Sequence, residues 1–229
     1  MFKYIKTRAL VSAAVLALAG LHASAALVTT RAALGAADSL DWAQLGPDSF
    51  AVADGSPANT SIMGLSATVS NPGGGGLTRF DEGGGTFAGN FANGDALLTT
   101  FASGGSIKID FSAGVSRVGT QIQGMDFSAF VGLISVYDVL NNLLEAYAVN
   151  DPGVSAIADN SAIFLGVTRA SADIDSVVFS ISGTINPDFA INQLSLSQAV
   201  TTRVPEPAST ALVAMLLVGL GAARRRVAG

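Results

Sequence analysis

Carboxylates are the reactive side chains that this chain offers. Glu82 and Glu145 are the only glutamates between residues 26 and 203, and aspartates are scattered through the same stretch. That stretch holds no cysteine and no histidine; the single histidine, His22, lies near the N-terminus. Cys–His and Ser–His–Asp nucleophile systems are thereby excluded, as are the usual zinc ligand sets. Two carboxylates flanking a sugar suffice to hydrolyse a glycosidic bond, but no motif singles out a pair. A grouping of hard oxygen ligands does occur: Asp81, Glu82, Asn93 and Asp95, within the glycine-rich NPGGGGLTRFDEGGGTFAGNFANGDALL at residues 71–98. Calcium takes such ligands on turns, so these four are candidate calcium ligands. Their spacing matches neither an EF-hand nor a glycine–aspartate repeat, and a mobile surface loop between strands accounts for the same residues. A P-loop is ruled out because the Lys-Ser/Thr is missing.

One aromatic bears on ligand binding. Trp42 is the only tryptophan, in SLDWAQLGPDSF. An exposed indole would serve as a sugar platform, but a lone tryptophan on an alternating segment reads as core. The sequon Asn59-Thr60-Ser61 is a fortuitous match.

The elements that must position these residues are strands. Gly, Ser, Thr, Asn and Asp recur every few residues, separated by short runs rich in Val, Ile and Phe. SIKIDF at residues 106–111 alternates with Ile107, Ile109 and Phe111 on one face. FVGLISVYDV and LLEAYAV flank Asn141-Asn142, a hairpin turn, since Asn tolerates positive φ. AIFLGVT, DSVVFSIS and FAINQLSLS follow, and SIMGLSATVS, GTFAGNF and ALLTTF precede. This pattern predicts an all-β chain, an antiparallel β-sandwich of jelly-roll-like form. A β-helix would need a fixed repeat period, and there is none.

Both ends differ from the middle. Residues 1–25 carry Lys3, Lys6 and Arg8, an apolar stretch, and the small-residue site Ala23-Ser24-Ala25, which predicts a signal peptide cleaved after Ala25. Residues 208–223 are apolar and all but free of polar side chains, and they end at Arg224, Arg225 and Arg226. An uncharged stretch stopped by a positive block predicts a membrane-spanning helix with a stop-transfer end. The expected organisation is a signal peptide at 1–25, an exported β-sandwich at 26–203 and a sorting tail at 204–229.

The net charge is −5, and six of the twelve basic residues sit in the two end segments. The middle is therefore clearly acidic, which excludes a nucleic-acid partner. With no cysteine, its stability comes from packing, or from a metal, rather than from disulfides.

The tail Pro205-Glu206-Pro207, a short apolar helix and a terminal arginine cluster resembles the PEP-CTERM sorting signal of Gram-negative bacteria, also labelled an ice-binding-protein C-terminal motif. The resemblance covers residues 204–226. It implies recognition of Pro205, Glu206 and Pro207 by an exosortase in the inner membrane, which removes the tail. It also implies export, a transient membrane anchor, and a final place at the cell surface or in the extracellular biofilm matrix, in association with exopolysaccharide. The strand order of the second half is similar to the lectin-like jelly rolls of many such proteins. There the last strand carries F-x-I-D-x-L; here Asn192 stands at the aspartate, keeping a carbonyl ligand and losing the charge.

These readings lead to a non-enzymatic surface or matrix protein that binds glycan and needs no cofactor. The alternatives are a carboxylate-dependent polysaccharide hydrolase and a purely structural module.

Overall fold

The computed structural model describes residues 25–198, apart from 84–86, 103 and 154–156. The signal-peptide residue Ala23, the Pro205-Glu206-Pro207 motif, the apolar tail and Arg224, Arg225 and Arg226 all lie outside the described residues; Ala25 is the first of them. Among the described residues no helix is long and apolar enough to cross a membrane.

The strands are β1 (Ala26–Val28), β2 (Asp38–Leu40), β3 (Phe50–Val52), β4 (Ser56–Asn59), β5 (Ser66–Ser70), β6 (Leu77–Asp81), β7 (Ala96–Thr99) and β8 (Ile107–Val115). They continue with β9 (Arg117–Gly124), β10 (Phe130–Tyr137), β11 (Leu143–Asp151), β12 (Ile163–Thr168), β13 (Ile174–Ser182), β14 (Phe189–Ile191) and β15 (Leu194–Ser197). One sheet runs β1-β12-β9-β14-β7-β6-β3, with β15 joining β9 to β2; the other runs β11-β10-β13-β8-β5-β4. Every strand pair between them is antiparallel. The all-β, antiparallel expectation therefore holds.

Period-two alternation sets the two faces. On β8, Ile107, Ile109 and Phe111 are buried, while Lys108 and Asp110 pair at 2.6 Å on the opposite face. The inward rows of both sheets merge into one core that includes Ile109, Ile122, Ile134, Leu165, Phe179 and Leu196. Burying each such side chain stabilises by roughly 1.5–3 kcal/mol. The sheets meet closely at Gly132 on β10, where a Cβ would lie 3.2 Å from both Ile122 and Leu165 of the facing sheet. The hairpin forms as expected: Asn141 has φ 61, and Asp138 Oδ1 accepts from the amides of Leu140 and Asn142.

A second, smaller core covers the outer face of the first sheet. Leu98 and Ile191 join the main core, whereas their neighbours Leu97 and Ala190 pack with Phe80, Phe87, Phe91 and Ala162. This corrects the reading of residues 71–98 as one surface loop. The stretch contains β6 and β7, and the segment between them buries Phe87 (5% exposed) and Phe91 (0%) against the sheet. The expected strand GTFAGNF contributes these two phenylalanines as anchors and, in its described part, one isolated bridge from Glu82 to Phe87. Trp42 is fully buried, as expected for core, but on a short 3₁₀ helix, Trp42–Leu45, rather than a strand.

Candidate functional site

The site is built where β14 passes into β15. Ile191 pairs with Ile122, and Ser195 pairs with Gly119. Three residues, Asn192, Gln193 and Leu194, therefore stand opposite two, Thr120 and Gln121. An extra residue of this kind is a β-bulge, which bends the strand and redirects its side chains. The Asn192 carbonyl is taken by the Trp42 indole N–H at 2.7 Å and by the Thr120 hydroxyl at 2.8 Å. The buried tryptophan thus acts from beneath the site, by locking the bulge.

The Asn192 side chain is 3% exposed and uses both ends. Its Nδ2 donates to Asp95 Oδ2 at 2.8 Å and to Gln121 Oε1 at 2.7 Å. Its Oδ1 accepts from Arg31 Nη2 at 2.9 Å and from the Gln121 amide at 3.2 Å. An asparagine suits this position because its amide donates to Asp95 while accepting from Arg31, which an ionised aspartate could not do. Gln121 Nε2 in turn donates to the Asn160 and Ala162 carbonyls, both at 3.1 Å, and to Asn160 Oδ1 at 3.0 Å.

Arg31 arrives from the other end of the chain on helix α1 (Arg31–Leu34). Thr30 caps the helix start by accepting from the Ala33 amide, Leu34 is fully buried, and Gly35 ends the helix at φ 57. Arg117 donates to the Leu34 and Gly35 carbonyls, which fixes that end. The Arg31 guanidinium then spans the bulge. Nη1 donates to the Gln193 carbonyl at 3.1 Å and to the Ser195 hydroxyl, and Nη2 reaches Asn192 and Gln121. It stacks over the Phe164 ring, 5.4 Å from the centroid. Burial lowers its pKa, and the Asp95 charge opposes that shift.

Above this network lies a cleft of about 240 Å³, lined by Arg31, Asp41, Asp95, Gln121, Asn192 and Gln193 among others. A second hollow of about 390 Å³ adjoins it, sharing Arg31, Gln121 and Asn160 and continuing along Thr29, Ile163 and Phe164.

The four candidate calcium ligands separate. Asp81 forms an ion pair with Arg79. Asn93 is exposed, and its Oδ1 sits over Gly83. Glu82 and Asp95 are neighbours through the backbone, with the Glu82 amide donating to the Asp95 carbonyl at 2.9 Å. Asp95 lines the cleft, whereas Glu82 is 2% exposed beneath the second core. Glu82 Oε1 accepts from the Gly89 amide at 2.8 Å and Oε2 has no hydrogen-bond partner. Burial raises its pKa, the Gly89 hydrogen bond opposes this, and the Asp95 charge adds to the rise. Among the described residues, no three or more His, Cys, Asp or Glu side chains gather as a metal-binding group.

Of the four, Asp95 alone lines the cleft. Arg31, Asp41, Gln121, Asn160 and Gln193 had not been singled out from the sequence. A signal for the bulge was present: in FAINQLSLS the apolar period runs Phe189, Ile191 and then Leu194, Leu196, a shift of phase at Asn192-Gln193.

No family model matches the chain, and no curated protein matches it in sequence. Among solved structures it is similar to a DUF4465 family protein from Bacteroides caccae, at 10% identity and TM-score 0.38, over 76% of this chain and 100% of that one. CsCBM6-3 from Clostridium stercorarium, in complex with cellobiose, is similar at 16% identity and TM-score 0.32, over 57% of this chain and 86% of that one. The enzymatically active domain of bacteriophage CBA120 tailspike protein 4 is similar at 13% identity and TM-score 0.31, over 59% of this chain and 20% of that one.

Proposed function

We propose that this is an exported protein whose β-sandwich binds glycan, without turnover, in the cleft over the Asn192 bulge. The observation that carries this is a floor of interlocked planar side chains, Arg31, Gln121 and Asn192, under a rim of Asp41, Asp95, Asn160 and Gln193. Sugar hydroxyls both donate and accept. Carboxylate and amide groups held rigid by their own hydrogen bonds meet them with little ordering cost. Crossings from one sheet to the other, as from β8 to β9 and from β12 to β13, support a jelly-roll-like winding. On a glycan array, the purified protein is expected to bind a defined set of sugars, and Asn160→Ala is expected to weaken that binding. An array with no bound glycan removes the proposal.

The second reading, hydrolysis, is favoured by one observation: Asp41 and Asp95 line the same cleft. Against it, Glu82, the carboxyl whose pKa burial raises in the way a general acid requires, is not among the cleft's lining residues. Asp95→Asn decides. Release of reducing sugar that this variant abolishes, with binding retained, would establish the hydrolase.

Export and sorting rest on the ends of the sequence. The signal peptide, the Pro205-Glu206-Pro207 motif and the arginine block support removal of the tail by an exosortase and delivery to the surface or matrix. Glu206→Ala is expected to leave the apolar tail attached in a host that carries the protease. Normal processing of that variant would withdraw the motif's role.

A further inference from the structure

We infer that the two adjoining hollows form one binding groove, and that it takes a run of several neutral sugars rather than a single sugar. This rests on the glycan reading above and goes further in stating the length and charge of the ligand.

Size comes first. Pockets that enclose a small ligand usually measure about 300–1,000 Å³. At about 240 Å³ the hollow over Asn192 falls below that range, so a ligand held there extends beyond it. The neighbouring hollow, about 390 Å³, is the space into which it extends, since the two share Arg31, Gln121 and Asn160. Gln121 is 8% exposed and fixed on both amide atoms, which makes it a rigid floor common to both.

The lobes differ in chemistry. The first presents Asp41, Asp95 and Gln193, groups suited to hydroxyl donors. The second presents the half-buried Ile163 beside Thr29 and Ser161, with Ala162 and Phe164 buried behind them, a small apolar surface with a polar edge.

Charge comes last. Among the described residues, Arg31 is the only cationic side chain lining either lobe, and its terminal nitrogens donate inward, to Gln193, Ser195, Asn192 and Gln121. Asp41 and Asp95 line the first lobe with two carboxylates. A uronate placed there would meet like charge and find the guanidinium already engaged. A neutral chain incurs neither cost.

The test uses the purified protein on immobilised ladders from monosaccharide to hexasaccharide. The neutral ladders are built from glucose, galactose, mannose and xylose, and an acidic ladder from galacturonate. On a neutral ladder that binds, affinity is expected to rise on the order of tenfold from monosaccharide to trisaccharide, about 1.4 kcal/mol, and to level off beyond. Thr29→Tyr places a ring in the second lobe from an exposed position. It is expected either to erase that gain by filling the lobe or to enlarge it by stacking on the sugar, with the melting temperature unchanged. Affinity that is flat with length, or a trisaccharide gain untouched by Thr29→Tyr, overturns the single groove but leaves glycan binding standing. Strongest binding to the galacturonate ladder overturns the neutral-chain claim. Binding to no ladder removes the glycan reading, and this inference with it.

Discussion

Asp38 and Glu82 are both nearly closed to solvent, 5% and 2% exposed, but Glu82 is surrounded by more protein, and their carboxyl groups shift in opposite directions. Burial pushes the Asp38 pKa up, but hydrogen bonds overcome it and hold the group at about 2. Asp38 accepts from the amides of Ser39, Ile62 and Met63 at 2.8, 2.9 and 2.6 Å, and from the Ser61 hydroxyl at 2.9 Å. Glu82 has the Gly89 amide on one oxygen and no partner on the other, so there desolvation wins. The desolvation a carboxyl suffers and the donors delivered to it together set its protonation. The same division runs between two parts of the molecule. Around the Asn192 bulge, polar atoms are interlocked. Beneath the glycine-rich segment, Glu82 Oε2 and Gln123 Nε2 are both buried without partners.

The largest expected effect is at the satisfied acid. Asp38→Ala leaves three amides and a hydroxyl without their acceptor, where the loop is otherwise tied to β2 by the Ser61 amide on the Ser39 carbonyl at 3.0 Å. A loss of roughly 3 kcal/mol in urea unfolding is expected, within the range for breaking a buried hydrogen-bonded charge. A loss below about 1 kcal/mol would mean that water replaces the carboxylate easily, and the comparison would fail on its stronger side.

Acid titration comes next. The folded pKa of Asp38, about 2, lies below the ordinary 3.8. The stabilisation is therefore fully present above the ordinary value and is lost as pH falls through the folded one. Between pH 4 and pH 2 the contribution of this group falls by about 2 kcal/mol. Comparing Asp38→Asn with the parent isolates it: the parent should lose that much more stability over the window. Parallel curves would sink the assignment.

Much of the fold was legible because its strands alternate over a half-buried pleat. Ile107, Ile109 and Phe111 mark β8, and Asn141 marks a turn that requires positive φ. β9 was missed, although it pairs with three other strands. Gly119, Gln121 and Gln123 dilute its apolar signature, because its outer face serves a polar site and a second core rather than solvent. Arg31 was invisible for another reason. Its helix has four residues, too few to show a period, and its partners lie about 160 positions away. The phase shift in FAINQLSLS could have located the bulge; nothing local could have said that an arginine would come to fill it.

The smallest expected effect is at the unsatisfied acid, and its sign is opposite. A raised folded pKa means that the native state binds this proton more tightly than the unfolded chain does. Glu82 therefore costs stability once pH rises past the ordinary glutamate value, and the cost reaches its limit above the folded pKa. Glu82→Gln keeps an oxygen for the Gly89 amide and removes the charge. The space is unforgiving: a Cβ at Gly89 would lie 3.0 Å from Glu82 Oε2, 3.0 Å from Gln123 Oε1 and 2.7 Å from Phe87, so an isosteric change is the suitable one. The new amide still lacks a partner, which limits the benefit to about 1 kcal/mol. The variant is expected to melt higher than the parent at neutral pH, and the two should converge as the pH is lowered and the parent's Glu82 takes up its proton. A variant that melts lower at neutral pH would show that the charge is compensated in the native state, and that the contrast with Asp38 is one of degree.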